Sequence, residues 1–431
     1  MICVFGLGQV GLPSAVVFAY KGYSVIGVDI DGFKVNSVNQ CVSYIKEPKL
    51  EILLKKVVSE GRLRAVVNAD NFLRECNMVI VDVPTPVKAG VIDLSHVINV
   101  LKTTARNLCR EMLIVIESTV PVGTTGNLAK KILEEGSNLR AEEDFYLAHV
   151  PERISPGKAI EELLNTPRVV GGLDLRSTKK ALEMYSKVNP NLIPTDATTA
   201  EFVKLIENTF RDINIAYANF LALISQSIGV DVYEAIKLAN THPRVSIHLP
   251  GAGVGGPCLT KDPYMLLSIL KDFWGSELIK IARKINEYMP QHFVELVKYA
   301  LSENNIDIRR AKVAVFGAAY KGGVEDVRES PSKYVVRGLL DMKLDVLVYD
   351  PYTSETFGGK RANSIEDAVE NADAIVFVTD HPEFKEIDLN KLTKAMRNKI
   401  IIDGRRIIDP YKAYTLGFKY YGIGFGRKFK L

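Results

Sequence analysis

The residues with most chemistry to offer stand in one segment, Pro250-Gly251-Ala252-Gly253-Val254-Gly255-Gly256-Pro257-Cys258-Leu259-Thr260-Lys261-Asp262. Four glycines precede a cysteine there. Backbone without Cβ atoms approaches a ligand closely, and the sulfur falls at a loop–helix junction. A helix N-terminus beside Lys261 favours the thiolate, the reactive form. Asp262 then caps the following helix or holds a water. A lone cysteine is often inert core; the glycines favour a nucleophile. Lys204, Asn208 and Arg211 form a second set, spaced i, i+4 and i+7 on one helix face. Their neighbours Phe202, Val203, Leu205, Ile206, Phe210 and Ile213 are apolar. A polar stripe on a mostly buried helix needs partners, which a charged ligand supplies; a solvated stripe is the alternative. A partly desolvated lysine loses its proton near neutrality and suits a general base.

The third set opens the chain. Gly6-Leu7-Gly8-Gln9-Val10-Gly11 follows an apolar run and precedes a helical pattern, and a second strand ends at Asp29. Gly6 permits a tight turn, Gly8 lets backbone approach a pyrophosphate, and Gly11 lets the helix pack on its strand. The helix N-terminus faces phosphate. Asp29 accepts from ribose hydroxyls and repels a further phosphate, so NAD is expected over NADP. Val83-Pro84-Thr85-Pro86 follows another strand end, where Thr85 reaches the cofactor or merely turns the chain. Glu117 to Gly123, with Thr119, and His149 to Arg153, with Glu152, also follow strand ends, the ligand side of such sheets.

The elements that must position these groups read as an α/β chain. Strands are expected at Met1 to Phe5, Ser24 to Val28, Met78 to Val83, Met112 to Glu117 and Phe145 to His149, separated by helical stretches. That alternation means a doubly wound parallel sheet. Beyond about Asn189 the pattern turns helical. Thr198 and Glu201 have capping-box spacing, a long helix runs from Ala200 to about Ile228, and more helix is expected at Val232 to Ala239 and Pro263 to Leu301. A third section opens at Lys312, with strands to Phe316 and at Leu344 to Tyr349, Ala374 to Thr379 and Lys399 to Asp403. It echoes the first with an eroded glycine turn, Gly317 to Gly323, which implies a nucleotide ligand other than NAD.

Composition narrows the class. The net charge of +4 over 431 residues argues against a dedicated nucleic-acid binder. No window is long and apolar enough to span a bilayer, and the N-terminal apolar stretch lacks a basic flank, so neither membrane partner nor signal peptide is expected. The five cysteines show no C-x-x-C spacing, so no metal site is expected and a reducing cytoplasm is.

Together, GLGQVGLP, VPTP, ESTVPVGTT, EFVKLIENTFRDINIA, GVGGPCLTKDP and GAAYKGGVEDVRESPS resemble the UDP-glucose/GDP-mannose dehydrogenase family over essentially the whole chain. The resemblance implies two Rossmann-like doubly wound parallel-sheet domains, 1–188 for NAD and 302–431 for the UDP-sugar, joined by a central helical domain, 189–301, with dimer contacts. It implies a four-electron oxidation of a sugar C6 alcohol to a carboxylate by two NAD in succession. Cys258 then forms a thiohemiacetal and a thioester, and Lys204 donates and accepts protons. Asn208 steadies the oxyanion, Asp262 activates water, and Thr119 and Glu152 lie by the reacting carbon and cofactor.

Pro151 to Gly157 and His242-Pro243-Arg244-Val245 resemble the branch acting on UDP-N-acetylhexosamines, UDP-N-acetylmannosamine above all. There Glu152, Arg153, His242, Arg244 and Arg211 contact substrate, one set coming from the neighbouring subunit. Gly255, Tyr320, Lys321, Arg328 and Arg405 match the remaining nucleotide-sugar contacts, and Gly6, Gly8, Val10, Gly11, Asp29, Lys34, Thr85 and Thr119 the cofactor's. Three positions depart from the pattern: Gln9 stands for an aromatic residue, Lys34 for an arginine near the adenosine ribose, and Pro257 for a histidine. UDP-N-acetylglucosamine and UDP-glucose are the alternative substrates. A two-electron hydroxy-acid dehydrogenase shares the N-terminal architecture but needs neither Cys258 nor the third section. An NAD-binding scaffold would leave the reacting residues idle.

Overall fold

The computed structural model describes residues 1–88, 90–269 and 273–426. They fall into two compact units, Met1–Glu207 with Tyr264–Lys271, and Asn208–Pro263 with Asp272–Leu431.

The first unit is built on an eight-stranded sheet. Its strands are β1 (Ile2–Phe5), β2 (Val25–Val28), β3 (Leu63–Val66), β4 (Met78–Val81), β7 (Leu113–Ile116), β8 (Tyr146–His149), β9 (Arg168–Gly172) and β10 (Leu192–Asp196). A small antiparallel hairpin, β5 (Val87–Lys88) and β6 (Val91–Ile92), stands apart. The order β10-β9-β8-β7-β4-β1-β2-β3 reverses direction between β1 and β4, and ligands bind such sheets at that point, beyond the strands' carboxyl ends. β1, β2, β4 and β7 are buried along their whole length, as strands covered by helices on both faces must be.

One expectation is extended here and one is corrected. The strands expected there, β1, β2, β4, β7 and β8, pair in parallel as read, but strands outside that reading extend the sheet, β9 antiparallel to β8 and β10 parallel to β9. Neither β9 nor β10 has an apolar signature, since Arg168 opens the first and the second is mostly exposed around Pro194. The capping box fails. The long helix begins at Ala197, and the Asp196 carboxylate caps it by accepting from the Thr199 N–H and hydroxyl, at 2.9 and 2.6 Å. Glu201 instead accepts from the Gly123 N–H at 2.5 Å and from the Thr125 N–H and hydroxyl at 2.7 and 2.6 Å, because those loop amides have no ladder partner.

The second unit carries a parallel six-stranded sheet, β11 (Lys312–Phe316), β12 (Asp345–Tyr349), β13 (Lys360–Arg361), β14 (Ala374–Phe377), β15 (Ile400–Asp403) and β16 (Lys419–Gly422). Its order, β13-β12-β11-β14-β15-β16, repeats the reversal of the first. The fold class is thus α/β, with two doubly wound sheets and a helical region between them in sequence. Ala218 and Ala222 of the long helix (Ala197–Ile228) and Met289, Phe293 and Val297 of helix Glu277–Glu303 share one core with Val313, Val315 and Val336. The helix expected from Pro263 to Leu301 is two helices, Asp262–Leu267 and Glu277–Glu303, with a 3₁₀ turn at Trp274–Ser276. Residues 270–272 of that expectation lie outside the described residues.

Candidate active site

In the first unit, the glycines of the opening turn do different work. Gly6 has φ +93°, and a Cβ there would lie 1.9 Å from the Asp82 carbonyl oxygen; a Cβ on Gly11 would lie 2.0 Å from the Gly6 oxygen. Both are fixed by packing. A Cβ on Gly8 meets nothing within 4 Å, so the middle of the turn faces open space beside the start of helix Gly11–Tyr20, with Val10 before it. Asp29 ends β2. Its carboxylate accepts from the Leu7 and Asp31 N–H groups at 2.9 and 3.0 Å and from Lys34 Nζ at 3.0 Å. Burial alone would raise its pKa, but these donors outweigh burial and hold it below the usual carboxylate range. Open amide backbone at a helix start with an ionised acid beyond it fits NAD's pyrophosphate and adenosine ribose.

Thr85 and Thr119 are brought together: the Thr85 hydroxyl donates to the Thr119 carbonyl at 2.7 Å. Glu152 and Lys204 also meet. Lys204 Nζ donates to the Glu152 carbonyl at 2.6 Å and lies 3.3 Å from its Oε1, and both side chains are largely buried. Arg153 is engaged within the protein, pairing with Glu207 and donating to the Pro167 carbonyl at 2.9 Å.

Near this pair lies a charged cluster of which the sequence reading marked only the strand ends. Glu117 Oε1 accepts from Arg168 Nη2 and from the Tyr185 hydroxyl, both at 2.5 Å, and the guanidinium lies over the Tyr185 ring. Burial raises the Glu117 pKa against the pull of Arg168. Asp82 is raised well above the carboxylate range by burial, then by the Glu117 and Glu152 charges. His149 is fully buried with neither ring nitrogen hydrogen-bonded, and burial with Lys204 and Arg168 pushes its pKa down to about 3. An acid or histidine closing an apolar strand was the available signal for Asp82, Glu117 and His149. Arg168 and Tyr185 gave none.

In the second unit, the Cys258 carbonyl accepts from the Lys261 and Asp262 N–H groups at 3.0 and 2.9 Å, which starts helix Asp262–Leu267. The sulfur therefore stands at a loop–helix junction. The preceding glycines press on the third-section loop: a Cβ on Gly256 would lie 2.7 Å from the Tyr320 ring, and one on Gly255 2.6 Å from the Glu329 carbonyl. The Gly256 N–H donates to the Arg328 carbonyl at 3.2 Å. Burial, followed by the charges of Asp326 and Cys258, pushes the Tyr320 phenol up to about 12. Asn208 donates to Asp262 Oδ2 at 2.6 Å, and both are buried.

Of the expected substrate residues, Arg328 pairs with Asp326 at 2.6 Å. Arg405 donates to the carbonyls of Gly253 and Val378, at 3.0 and 3.3 Å, and so helps hold the glycine loop itself. Arg211, Lys321, His242 and Arg244 are exposed, and His242 Nδ1 accepts only weakly from the Arg244 N–H, at 3.3 Å. Among the described residues, no three or more His, Cys, Asp or Glu are grouped to hold a metal, and no helix is long and apolar enough to cross a membrane.

Comparison with known proteins bears on this arrangement along the whole chain. The UDP-glucose/GDP-mannose dehydrogenase family's NAD binding domain matches residues 1–189, its central domain 198–288 and its UDP binding domain 314–410. The chain belongs to that family. UDP-N-acetyl-D-mannosamine dehydrogenase of Pyrococcus horikoshii is 47% identical, with 99% of each chain covered. The enzyme of the same name from Methanocaldococcus jannaschii is 39% identical, covering 99% of this chain and 97% of its own. The solved P. horikoshii UDP-D-ManNAc dehydrogenase superposes with a TM-score of 0.92 at 45% identity, covering 98% of this chain and 99% of its own. A UDP-glucose dehydrogenase from Pyrobaculum islandicum follows at 0.88 and 28%, covering 98% and 97%. As a member of this family the chain is an NAD-dependent nucleotide-sugar dehydrogenase, with Gly6, Gly8, Gly11 and Asp29 inside its NAD binding domain.

Proposed function

We propose that this enzyme oxidises the C6 hydroxyl of UDP-N-acetyl-D-mannosamine to the carboxylate in two steps, with Cys258 as covalent nucleophile. The observation that carries the reading is the seat of Cys258: a glycine loop pressed on Tyr320, opening directly into a helix. Bound NAD supplies the hydride acceptor; the remaining chemistry belongs to the chain. Lys204, held against Glu152, takes the hydroxyl proton in the first oxidation. The Cys258 thiolate adds to the aldehyde carbon, and the new alkoxide takes a proton to give a thiohemiacetal. Covalent capture keeps the aldehyde from escaping between oxidations. Loss of hydride and the hydroxyl proton from that adduct gives a thioester. Water then adds to its carbonyl, passing one proton to the Asp262 carboxylate, and the carbon–sulfur bond breaks to release thiolate and the carboxylic acid, which loses its remaining proton to solvent. Asn208, fixed on Asp262, steadies the oxyanion.

The choice of sugar is supported by Pro151 to Gly157, by His242 to Val245 and by the names of the P. horikoshii and M. jannaschii relatives. UDP-N-acetylglucosamine and UDP-glucose are the alternatives. In this reading residues 1–188 bind NAD, 302–431 bind the UDP-sugar through Tyr320, Lys321, Arg328 and Arg405, and 189–301 carry the nucleophile. The long helix exposes Ile206, Phe210, Tyr217, Phe220, Ile224 and Ile228 at helical spacing, an apolar stripe suited to a second copy, so the enzyme acts as a homodimer. Its five free cysteines suit a reducing cytoplasm.

The test is uronate formation by wild type and Cys258→Ala from each of the three sugars. The expected result is highest kcat/KM on UDP-N-acetylmannosamine, and no uronate from a variant that still binds NAD. Near-normal turnover by Cys258→Ala would sink the mechanism, and a preference for another sugar would move the enzyme to another branch.

A further inference from the structure

Four glycines within the six residues Gly251 to Gly256 make a poor mount for a nucleophile. Gly253 and Gly256 adopt φ +130° and +87°, and backbone of this kind is loose unless tied from outside. The ties come from the body of the second unit. Asp212 and Asn219 lie at i and i+7 on one face of the long helix, and Arg283 and Asn286 at i and i+3 on helix Glu277–Glu303. All four are buried, between 0% and 4% exposed. Arg283 Nη1 donates to Asp212 Oδ1 at 2.7 Å and to the Leu259 carbonyl at 3.3 Å. Asn286 Nδ2 donates to the same Asp212 oxygen at 2.8 Å. Asn219 Nδ2 donates to Asn286 Oδ1 at 2.9 Å, and Asn219 Oδ1 accepts the Gly251 N–H at 2.9 Å.

These bonds form a closed ring. It leaves the loop at Leu259, the residue after Cys258, crosses both helices, and returns at Gly251, the first of the glycines. A buried ion pair is a weak way to stabilise a fold, and apolar side chains of similar volume would pack the same space. What an apolar quartet cannot do is bind two particular backbone atoms in two particular directions. We propose that Asp212, Arg283, Asn286 and Asn219 are positioning residues, a clasp that grips both ends of the Cys258 loop and sets the sulfur's place and approach. The proposal rests on the reading of Cys258 as nucleophile. It also gives the long helix two uses: one face presents Phe210, Tyr217 and Phe220 outward, and the other holds the nucleophile's loop.

The experiment uses the full-length protein as wild type, Asn219→Ala, Arg283→Met, Arg283→Lys and Cys258→Ala. Steady-state kinetics on UDP-N-acetylmannosamine are run well below each melting temperature, alongside the rate of Cys258 carbamidomethylation by iodoacetamide. A nucleophile displaced by about 1 Å loses on the order of a hundredfold in rate. Asn219→Ala and Arg283→Met should therefore lose roughly ten- to hundredfold in kcat per folded molecule, with both KM values within about threefold and an altered alkylation rate. Arg283→Lys, which keeps a charge for Asp212 and an N–H for Leu259, should recover most of the loss. If Arg283→Met does not fold, the neutral Asn219→Ala decides. A folded Asn219→Ala with kcat and alkylation rate within about twofold of wild type overturns the clasp. If Cys258→Ala makes uronate normally, the nucleophile reading fails, and the proposal with it. An inactive Cys258→Ala beside a normal Asn219→Ala defeats the clasp alone.

Discussion

Gly11→Ala is the sharpest perturbation of the cofactor turn. The new Cβ would stand 2.0 Å from the Gly6 carbonyl oxygen, against a floor of 3.0 Å for real Cβ contacts, so the turn or the helix must retreat by about 1 Å. The obstacle is backbone, which cannot swing aside as a side chain would. Such overpacking costs about 1–3 kcal/mol of stability. The same retreat stretches an amide–phosphate hydrogen bond from about 2.9 Å to nearly 4 Å, past its useful range. Losing one hydrogen bond to a charged group costs about 1.5–3 kcal/mol, which raises the Kd for NAD roughly ten- to hundredfold. Gly8→Ala is the matched control. Its Cβ meets nothing within 4 Å, so it should melt like wild type and still bind NAD at least about tenfold more weakly, because the methyl enters the cofactor's space. Calorimetric titration with NAD and thermal unfolding read both effects, with UDP binding as the check that the third section is intact. Gly11→Ala binding NAD within about twofold of wild type would refute the assignment of this turn to the pyrophosphate.

His149 predicts an acid limb to stability. Its folded pKa is pushed down to about 3, so the unfolded chain takes a proton near pH 6.5 that the fold refuses, and stability is lost as pH falls between these values. His149→Phe, which leaves no orphaned ring nitrogen, should flatten that slope in melts run from pH 7 to pH 4; an unchanged slope would place the acid sensitivity elsewhere. Arg168→Met strands Glu117 in the core and should cost about 3–5 kcal/mol in chemical denaturation, whereas a loss below about 1 kcal/mol would mean that water reaches the carboxylate. Phe220→Asp puts a charge in the middle of the long helix's apolar stripe and should turn a dimer into a monomer in sedimentation at micromolar concentration. A wild type that is already monomeric would remove the stripe's proposed role.

The strands that sequence reading placed have a run of buried apolar residues at their centre, with polar residues confined to their ends, because helices cover both faces. β9 and β10 escaped it: one opens on Arg168, needed by Glu117, and the other faces outward. Local geometry was legible where neighbouring residues set it, as in the Gly6 to Gly11 turn, the Asp29 carboxylate and the loop–helix junction at Cys258. The capping box failed because Glu201 met a stronger claim from loop amides far away in sequence. Arg405 was expected as a substrate contact, and nothing in its local sequence marked its hydrogen bond to the Gly253 carbonyl. The clasp was hidden for the same reason. Asp212, Asn219, Arg283 and Asn286 each read as an ordinary helix residue, and only packing brings them into one ring.

The central claim is a four-electron oxidation through Cys258, and the most direct measurement is NADH released per molecule of limiting UDP-N-acetylmannosamine. Two NADH per sugar, with the uronate as product, is the predicted result. One NADH per sugar, with an aldehyde or ketone as product, would contradict the account and return Cys258 to the role of a structural thiol.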